Sequence, residues 1–198
     1  MIRAYRPADR ADVYDVCVRT AEAGGDARGL YSSDDFMPDV FVGPYLELEP
    51  ELAFVVDDGR VVGYVLGAAD TARWAAEHRR RWLPSVADTY PLVLPPRTKE
   101  EELTDLLHHP ERNVHPELAD YPAHLHIDLL PSHQGRGLGR SLIRTFLAAL
   151  RERGVPGVHL GVAPDNTAAL AFYRRLGLRE LSPHPGVVLL GARSDLEV

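Results

Sequence analysis

The glycine-rich segment between residues 129 and 139 constrains the fold more than any other part of the chain, because it joins a strand pattern directly to a helix pattern. Residues 124–130 have the apolar alternation of a strand, and residues 139–153 carry apolar side chains at helical spacing. The glycines of the segment between residues 129 and 139 lack a Cβ, so its backbone N–H groups can approach an anion at the positive end of the following helix. The segment is therefore predicted to hold a phosphate group.

Two familiar phosphate loops do not fit this spacing. A dinucleotide-binding fingerprint requires glycine where Arg140 stands, and a P-loop requires a Gly-Lys-Ser/Thr run that the segment lacks. The spacing that remains is Gln134-x-x-Gly137-x-Gly139.

Strand and helix patterns alternate along the rest of the chain. Asp57-Asp58-Gly59-Arg60 is a turn signal between two apolar runs and predicts a β-hairpin. We predict strands at 2–5, 52–56, 61–66, 158–162, 178–181 and 186–190, and helices at 9–21 and 166–176. Gly177 follows the last helix, as expected of a left-handed cap. This order predicts an α/β fold with one βαβ crossover in its middle.

Residues 70–122 are too long for a connection in a compact domain. They combine a helical stretch containing Trp74 and Trp82, several prolines and the acidic run 100–102. We predict a helical insertion between the third and fourth strands of a single domain spanning 1–198. It could be a lid, a substrate wall or a homodimer interface, and its tryptophans could be interface anchors or internal packing.

Composition excludes several classes of protein. A net charge of −7 with 26% charged residues is ordinary for a globular chain and gives no basic field for duplex nucleic acid, which is not expected as a partner. No apolar run approaches the roughly 20 residues of a membrane span, and no secretory signal opens the chain, so we expect a cytoplasmic protein without a membrane partner. Cys17, the one cysteine, fits the buried face of a helix.

The glycine spacing resembles the pyrophosphate loop of the GCN5-related N-acetyltransferase (GNAT) superfamily. A second motif follows at the expected distance, because Asn166-x-x-Ala169-x-x-Phe172-Tyr173 is similar to the superfamily's Asn-x-x-Ala-x-x-Phe-Tyr segment. The resemblance implies a central mixed, mostly antiparallel, twisted sheet flanked by helices. It also implies acetyl-CoA as donor, CoA as product and an amine as acceptor.

A closer resemblance lies in the insertion and the strands beside it. Arg81-Trp82-Leu83-Pro84, residues 116–128 and residues 162–165 look like the acetyltransferase-like domain of eukaryotic O-GlcNAcases. Those domains depart from the glycine pattern that this chain keeps. The resemblance therefore implies acetyl-CoA binding here, and it names no acceptor.

The resemblance assigns the cofactor to a defined set of residues. The pantetheine arm would pair with the backbone of the strand, the pyrophosphate would lie on the glycine loop, and the second motif would close the site. The residues are Ile127, Leu129, Leu130, Gln134, Gly135, Arg136, Gly137, Leu138, Gly139, Arg140, Asn166, Ala169, Phe172 and Tyr173. Asn166 could equally be a simple helix N-cap.

Two residues are predicted to carry the chemistry. Tyr173, by its match to the motif, would be the general acid for the CoA sulfur. Asp128 is our candidate base, because a carboxylate on a central strand would have a raised pKa, and His126 is the second choice. A structural Asp128 and a metal site of His124, His126 and Asp128 are the alternatives, although no metal is expected. A non-catalytic acetyl-CoA-binding or protein-interaction module is the alternative function.

Overall fold

The structure is a computed structural model that describes residues 1–22 and 24–198. Its centre is a seven-stranded sheet in the order β1-β2-β3-β4-β5-β7-β6. The strands are β1 Ile2–Ala4, β2 Phe54–Asp57, β3 Val61–Ala68, β4 Ala123–Leu129, β5 Gly157–Val162, β6 Arg179–His184 and β7 Val187–Arg193. Neighbours run antiparallel except β4 and β5, which run parallel. The mixed, mostly antiparallel sheet is thereby confirmed.

Eight α-helices flank this sheet in the described part of the chain. They are α1 Arg10–Val18, α2 Phe36–Phe41, α3 Gly43–Leu48, α4 Thr71–Glu77, α5 Leu83–Val86, α6 Lys99–His108, α7 Leu138–Glu152 and α8 Thr167–Arg175. A π-helical turn, His78–Trp82, joins α4 to α5. Helices α4 to α6 lie between β3 and β4, where the sequence predicts an insertion.

Strand β3 is buried along its whole length, because helices cover both of its faces. Tyr64 points to the α1 face, where Cys17 is buried at 1% exposure as the sequence predicts. Gly67 lies three residues after Tyr64, so a Cβ at this position would point to the opposite face of the sheet, where Phe146 of α7 packs. The two helices thus enclose the middle of the sheet.

Several element boundaries differ from the sequence prediction, and two of the differences have a clear local cause. Strand β2 begins at Phe54 instead of residue 52, because Pro50–Leu52 forms a 3-10 turn. Helix α1 ends at Val18 instead of continuing to residue 21, and the Thr20 hydroxyl donates to the Val16 carbonyl at 2.8 Å. A hydroxyl that bonds back to the helix competes with helical continuation.

Strands β4 and β5 separate soon after they meet. Their ladder joins only Ala123 to Val158 and His124 to His159, although β4 continues to Leu129. The second half of β4 therefore faces an opening in the sheet. None of the helices in the described ranges is long and apolar enough to cross a membrane.

The close approach at Gly67 gives a test of this packing. A Cβ at this position would lie 2.1 Å from the His124 carbonyl oxygen and 2.7 Å from a Phe146 ring carbon. We expect Gly67→Ala to lower the free energy of unfolding by about 3 kcal/mol, since overpacking a core displaces its neighbours. Urea denaturation measures the change.

Gly161→Ala is the matched control, because Gly161 is also a strand glycine and its added Cβ would meet mainly the Val187 side chain. A flexible side chain gives way more easily than a carbonyl. Equal destabilisation by the two substitutions would contradict the packing described for Gly67.

Candidate functional site

The open edge of β4 exposes the backbone of alternate residues. The Leu130 N–H donates to the Val62 carbonyl at 3.0 Å. Because bonded and non-bonded pairs alternate along an antiparallel ladder, even-numbered residues of β4 bond to β3 and odd-numbered residues face the other way. The backbone groups of Ile127 and Leu129 therefore face the opening between β4 and β5. An extended ligand could pair with this edge as an added strand.

Leu130, another predicted cofactor residue, differs from Ile127 and Leu129 in its backbone contacts. Its N–H is bonded to Val62, and its carbonyl accepts from the His133 N–H at 2.8 Å. Both backbone groups are therefore already used inside the protein. This difference follows from the register of the β3–β4 ladder, which sequence spacing alone does not give.

Gln134 connects the glycine loop to this edge. Its Nε2 donates to the Leu129 carbonyl at 2.9 Å, which confirms that this carbonyl points away from β3. The side-chain bond fixes the start of the loop relative to the strand. A ligand on the edge would meet the Gln134 amide beside the Leu129 carbonyl.

The loop presents a row of N–H groups at the start of α7. Gly135 and Gly137 have φ of 73° and 76°, a conformation that favours glycine, and a Cβ on either would have no neighbour within 4 Å. The first helical bond runs from the Ser141 N–H to the Gly137 carbonyl. The N–H groups of Leu138, Gly139 and Arg140 therefore have no helical acceptor. Such a row, at the positive end of a helix, suits a phosphate.

Helix α8 packs against the same loop. A Cβ on Gly139 would lie 3.0 Å from the Phe172 ring, so glycine at this position lets α8 approach α7. The Asn166 side chain accepts from the Ala169 N–H at 3.1 Å, which shows that Asn166 is the N-cap of α8.

The C-terminus of α8 has the predicted left-handed cap. Gly177 has a φ of 96°, and the Leu178 N–H donates to the Tyr173 carbonyl at 3.1 Å. This is the Schellman arrangement, and it ends the helix immediately after the second motif.

Tyr173 lies on the buried side of α8 at 8% exposure. Burial raises the pKa of its phenol, and the Asp128 charge raises it further. Among residues 1–22 and 24–198 its hydroxyl has no hydrogen-bond partner within the protein. Tyr173 is therefore a neutral hydroxyl with a free proton close to the charge of Asp128.

Asp128 is bonded to its cross-strand neighbour. Tyr64 pairs with Asp128 in the β3–β4 ladder and donates its hydroxyl to Oδ2 at 2.7 Å. His126 lies on the same face, with Nδ1 at 3.3 Å from the Tyr64 hydroxyl and Nε2 at 3.5 Å from Oδ2 of Asp128. The predicted base and its second choice are thus neighbours.

The surroundings of Asp128 raise the pKa of its carboxyl group. Burial raises its pKa, while the His126 charge and hydrogen bonds from Tyr64 and Thr20 act in the opposite direction. The side chain still keeps 23% of its surface exposed. A carboxylate with a raised pKa and access to a ligand is suited to accept a proton.

His124 belongs to the packing of the insertion. Its ring nitrogens contact the Tyr45 hydroxyl and the Thr71 hydroxyl, both at 2.8 Å, and burial lowers its pKa to about 3. In the described ranges, no group of three or more His, Cys, Asp or Glu side chains is arranged to hold a metal ion. The alternative metal site of His124, His126 and Asp128 is therefore not formed.

Comparison with known proteins identifies the family. A sequence profile described as the acetyltransferase (GNAT) family matches residues 105–178. The solved structure of SsHAT is 55% identical, with a TM-score of 0.94 over 98% of this chain and 98% of that chain. The chain belongs to the acetyltransferase (GNAT) family.

Two further comparisons concern a much longer relative and a solved structure of the same fold. Protein O-GlcNAcase of Rattus norvegicus is 32% identical over 96% of this chain, and the chain spans 22% of that relative's length. The structure of yncA from Salmonella typhimurium with its cofactor acetyl-CoA has a TM-score of 0.57 at 16% identity, covering 100% of this chain and 95% of that chain. The second likeness concerns the GNAT fold alone.

Tyr64 is a neighbour of Asp128 that sequence reasoning missed. It is fully buried, and burial together with the Asp128 charge raises the pKa of its phenol well above the ordinary value. The Val62-Gly63-Tyr64 run resembles a strand of the superfamily's hairpin, but it gave no indication of a role for the Tyr64 side chain. The register of β3 on β4 is what places Tyr64 opposite Asp128.

The raised pKa of Asp128 predicts a pH-dependent stability difference. Between its ordinary and raised pKa the folded chain binds more protons at Asp128 than the unfolded chain does, so Asp128 lowers the stability as pH rises through that range. We expect Asp128→Asn to be more stable than the unmodified chain at neutral pH, with the gap closing under acid conditions. Thermal unfolding as a function of pH measures it.

Asp88→Asn is the control, because Asp88 is exposed. It removes the same charge outside the site. A gap of the same size for both variants at every pH would contradict the environment assigned to Asp128.

Proposed function

We propose that this GNAT protein is an acetyl-CoA-dependent N-acetyltransferase that transfers the acetyl group to an amine by direct attack in a ternary complex. The observation that carries the proposal is the open edge of β4, which leads directly into the N–H row of the glycine loop. The proposal keeps the single domain, the cytoplasmic location and a possible homodimer that the sequence predicts.

The edge of β4 and the glycine loop would bind different parts of the donor. Ile127 and Leu129 would pair with the amides of the pantetheine arm, and residues 134–140 would hold the pyrophosphate through their N–H groups. The likeness to a fold solved with acetyl-CoA supports this assignment. When bound, acetyl-CoA supplies a thioester carbonyl and a thiolate leaving group.

Asp128 and Tyr173 would manage the protons of the reaction. Asp128 would take a proton from the acceptor ammonium, whose nitrogen then forms the new bond to the acetyl carbon. Tyr173 would donate a hydrogen bond to the sulfur as the C–S bond breaks. Burial raises the pKa of the Tyr173 phenol, so the hydroxyl is neutral and carries a proton. As the amide forms, the nitrogen would lose its second proton and the CoA sulfur would gain one through Tyr173, which leaves the amide, the CoA thiol and protonated Asp128.

An exposed apolar run in the insertion favours a second candidate function. Leu92, Val93 and Leu94 are 36%, 43% and 63% exposed and lie together in the insertion, where they form an apolar run on the surface. This run supports the alternative of a non-catalytic acetyl-CoA-binding or protein-interaction module. Donor binding without transfer to any amine would favour that alternative.

Calorimetric titration with acetyl-CoA tests donor binding. We expect the unmodified chain to bind and Gly137→Glu to bind at least about 100-fold more weakly, because its carboxylate would project into the proposed pyrophosphate site. A chain that binds no acetyl-CoA would overturn the proposal.

Gly154→Glu is the matched control for this titration. Gly154 also has a positive φ, 68°, and a Cβ there also has no neighbour within 4 Å. Gly154→Glu therefore introduces the same charge and the same backbone strain at the other end of α7. Equal loss of binding in both variants would attribute the effect to strain instead of the phosphate site.

Tyr173→Phe tests the acid. We expect kcat to fall by about 100-fold with little change in the acetyl-CoA dissociation constant, since the ring is kept and only the hydroxyl is lost. CoA release is measured with a panel containing a polyamine, an arylalkylamine, a peptide α-amine and a lysine peptide. Tyr121→Phe, outside the site, is the control, and an unchanged kcat in Tyr173→Phe would contradict the role.

A further inference from the structure

Three polar groups form a closed triangle on the α1 face of the sheet. The Tyr64 hydroxyl lies 2.7 Å from Oδ2 of Asp128 and 3.3 Å from Nδ1 of His126. The Nε2 atom of His126 lies 3.5 Å from the same Oδ2. Tyr64 is therefore between the proposed base and a histidine that the proposed reaction has not yet used.

One arrangement of protons satisfies all three contacts. An ionised carboxylate only accepts hydrogen bonds, so Tyr64 donates its single proton to Asp128. The Nε2 atom of His126 faces the same oxygen, which favours the tautomer with its proton on Nε2. Nδ1 is then a lone pair that faces the Tyr64 oxygen. The resting site thus has a proton acceptor ready on the far side of Tyr64.

The three side chains of the triangle differ in their exposure to solvent. Tyr64 is fully buried, Asp128 is 23% exposed and the His126 side chain is 32% exposed. Phe41 stacks on the His126 ring, with centroids 5.8 Å apart, and holds its orientation. A proton that arrives at Asp128 beneath a bound acceptor has its most open route to water through His126.

We propose that Tyr64 is a positioning residue that relays the acceptor's proton from Asp128 to His126. The protonated Asp128 carboxyl gives its proton to the Tyr64 oxygen while the Tyr64 hydroxyl gives its own to Nδ1 of His126. Asp128 returns to the carboxylate, Tyr64 keeps one proton, and the His126 imidazolium loses its Nδ1 proton to water, which restores the tautomer with the proton on Nε2. The relay rests on the proposed N-acetyltransferase function, because that reaction supplies the proton.

Nitrogen NMR of the His126 ring tests the resting arrangement without any acceptor. We expect the proton on Nε2 in the unmodified chain, and a mixture of tautomers in Asp128→Asn, which loses the charge that favours Nε2–H. A ring protonated on Nδ1 in the unmodified chain would overturn the relay.

Kinetics test the relay itself in the presence of saturating acetyl-CoA and the most reactive amine of the panel. We expect Tyr64→Phe to lower kcat by about 10-fold or more, with acetyl-CoA affinity unchanged. His126→Gln should act similarly, and the double variant should be no slower than the slower single variant, because both break one chain of transfers. Additive losses would overturn the relay.

Tyr45→Phe is the matched control. Tyr45 is also buried and also bonds a histidine of β4, His124, at 2.8 Å, but within residues 1–22 and 24–198 no carboxylate bonds to either side chain. We expect a lower unfolding temperature with kcat within about twofold of the unmodified chain. If Tyr45→Phe lost as much kcat as Tyr64→Phe, the role of Tyr64 would be merely structural. If the unmodified chain bound acetyl-CoA but acetylated no amine, the proposed function would be overturned, while the NMR result would stand.

Discussion

The separation of β4 from β5 is the constraint on which the rest of the structure depends. The two strands form a ladder at His124 and His159 and then part, although both continue. An unpaired strand edge in the middle of a sheet leaves backbone groups without partners, and such an edge invites an added strand. The glycine loop begins where this edge ends. The opening and the anion-binding N–H row are therefore one continuous surface, and neither part would suit an extended phosphorylated ligand alone.

The buried β3 strand links the core to the chemistry. Its helices and neighbouring strands fix the register with β4, and that register is what sets Tyr64 against Asp128. Removing water from this pair raises the pKa of both side chains, so the packing that stabilises the sheet also prepares the carboxyl group to accept a proton. Asp128 is thus a locally destabilising charge that the surrounding core tolerates.

Local features could be predicted from the sequence, whereas register could not. The glycine loop, the start of α7 and the cap at Gly177 follow from the backbone preferences of single residues, and the structure has them where the sequence predicts. The contact of Tyr64 with Asp128 and the pairing of the Leu130 backbone groups were both missed for one shared reason. Which residue lies opposite Asp128, and which backbone groups of β4 remain free, depends on the pairing of two strands that are far apart in sequence.

The insertion is tied to the strand that carries the site. Trp74 of α4 is 3% exposed, stacks on Tyr45 at 4.7 Å and meets the His124 ring edge-on at 5.0 Å. Thr71 of the same helix bonds His124. Internal packing therefore accounts for Trp74. Because these contacts lie at the last ladder position before β4 and β5 part, the insertion braces the strand at the point where the opening begins.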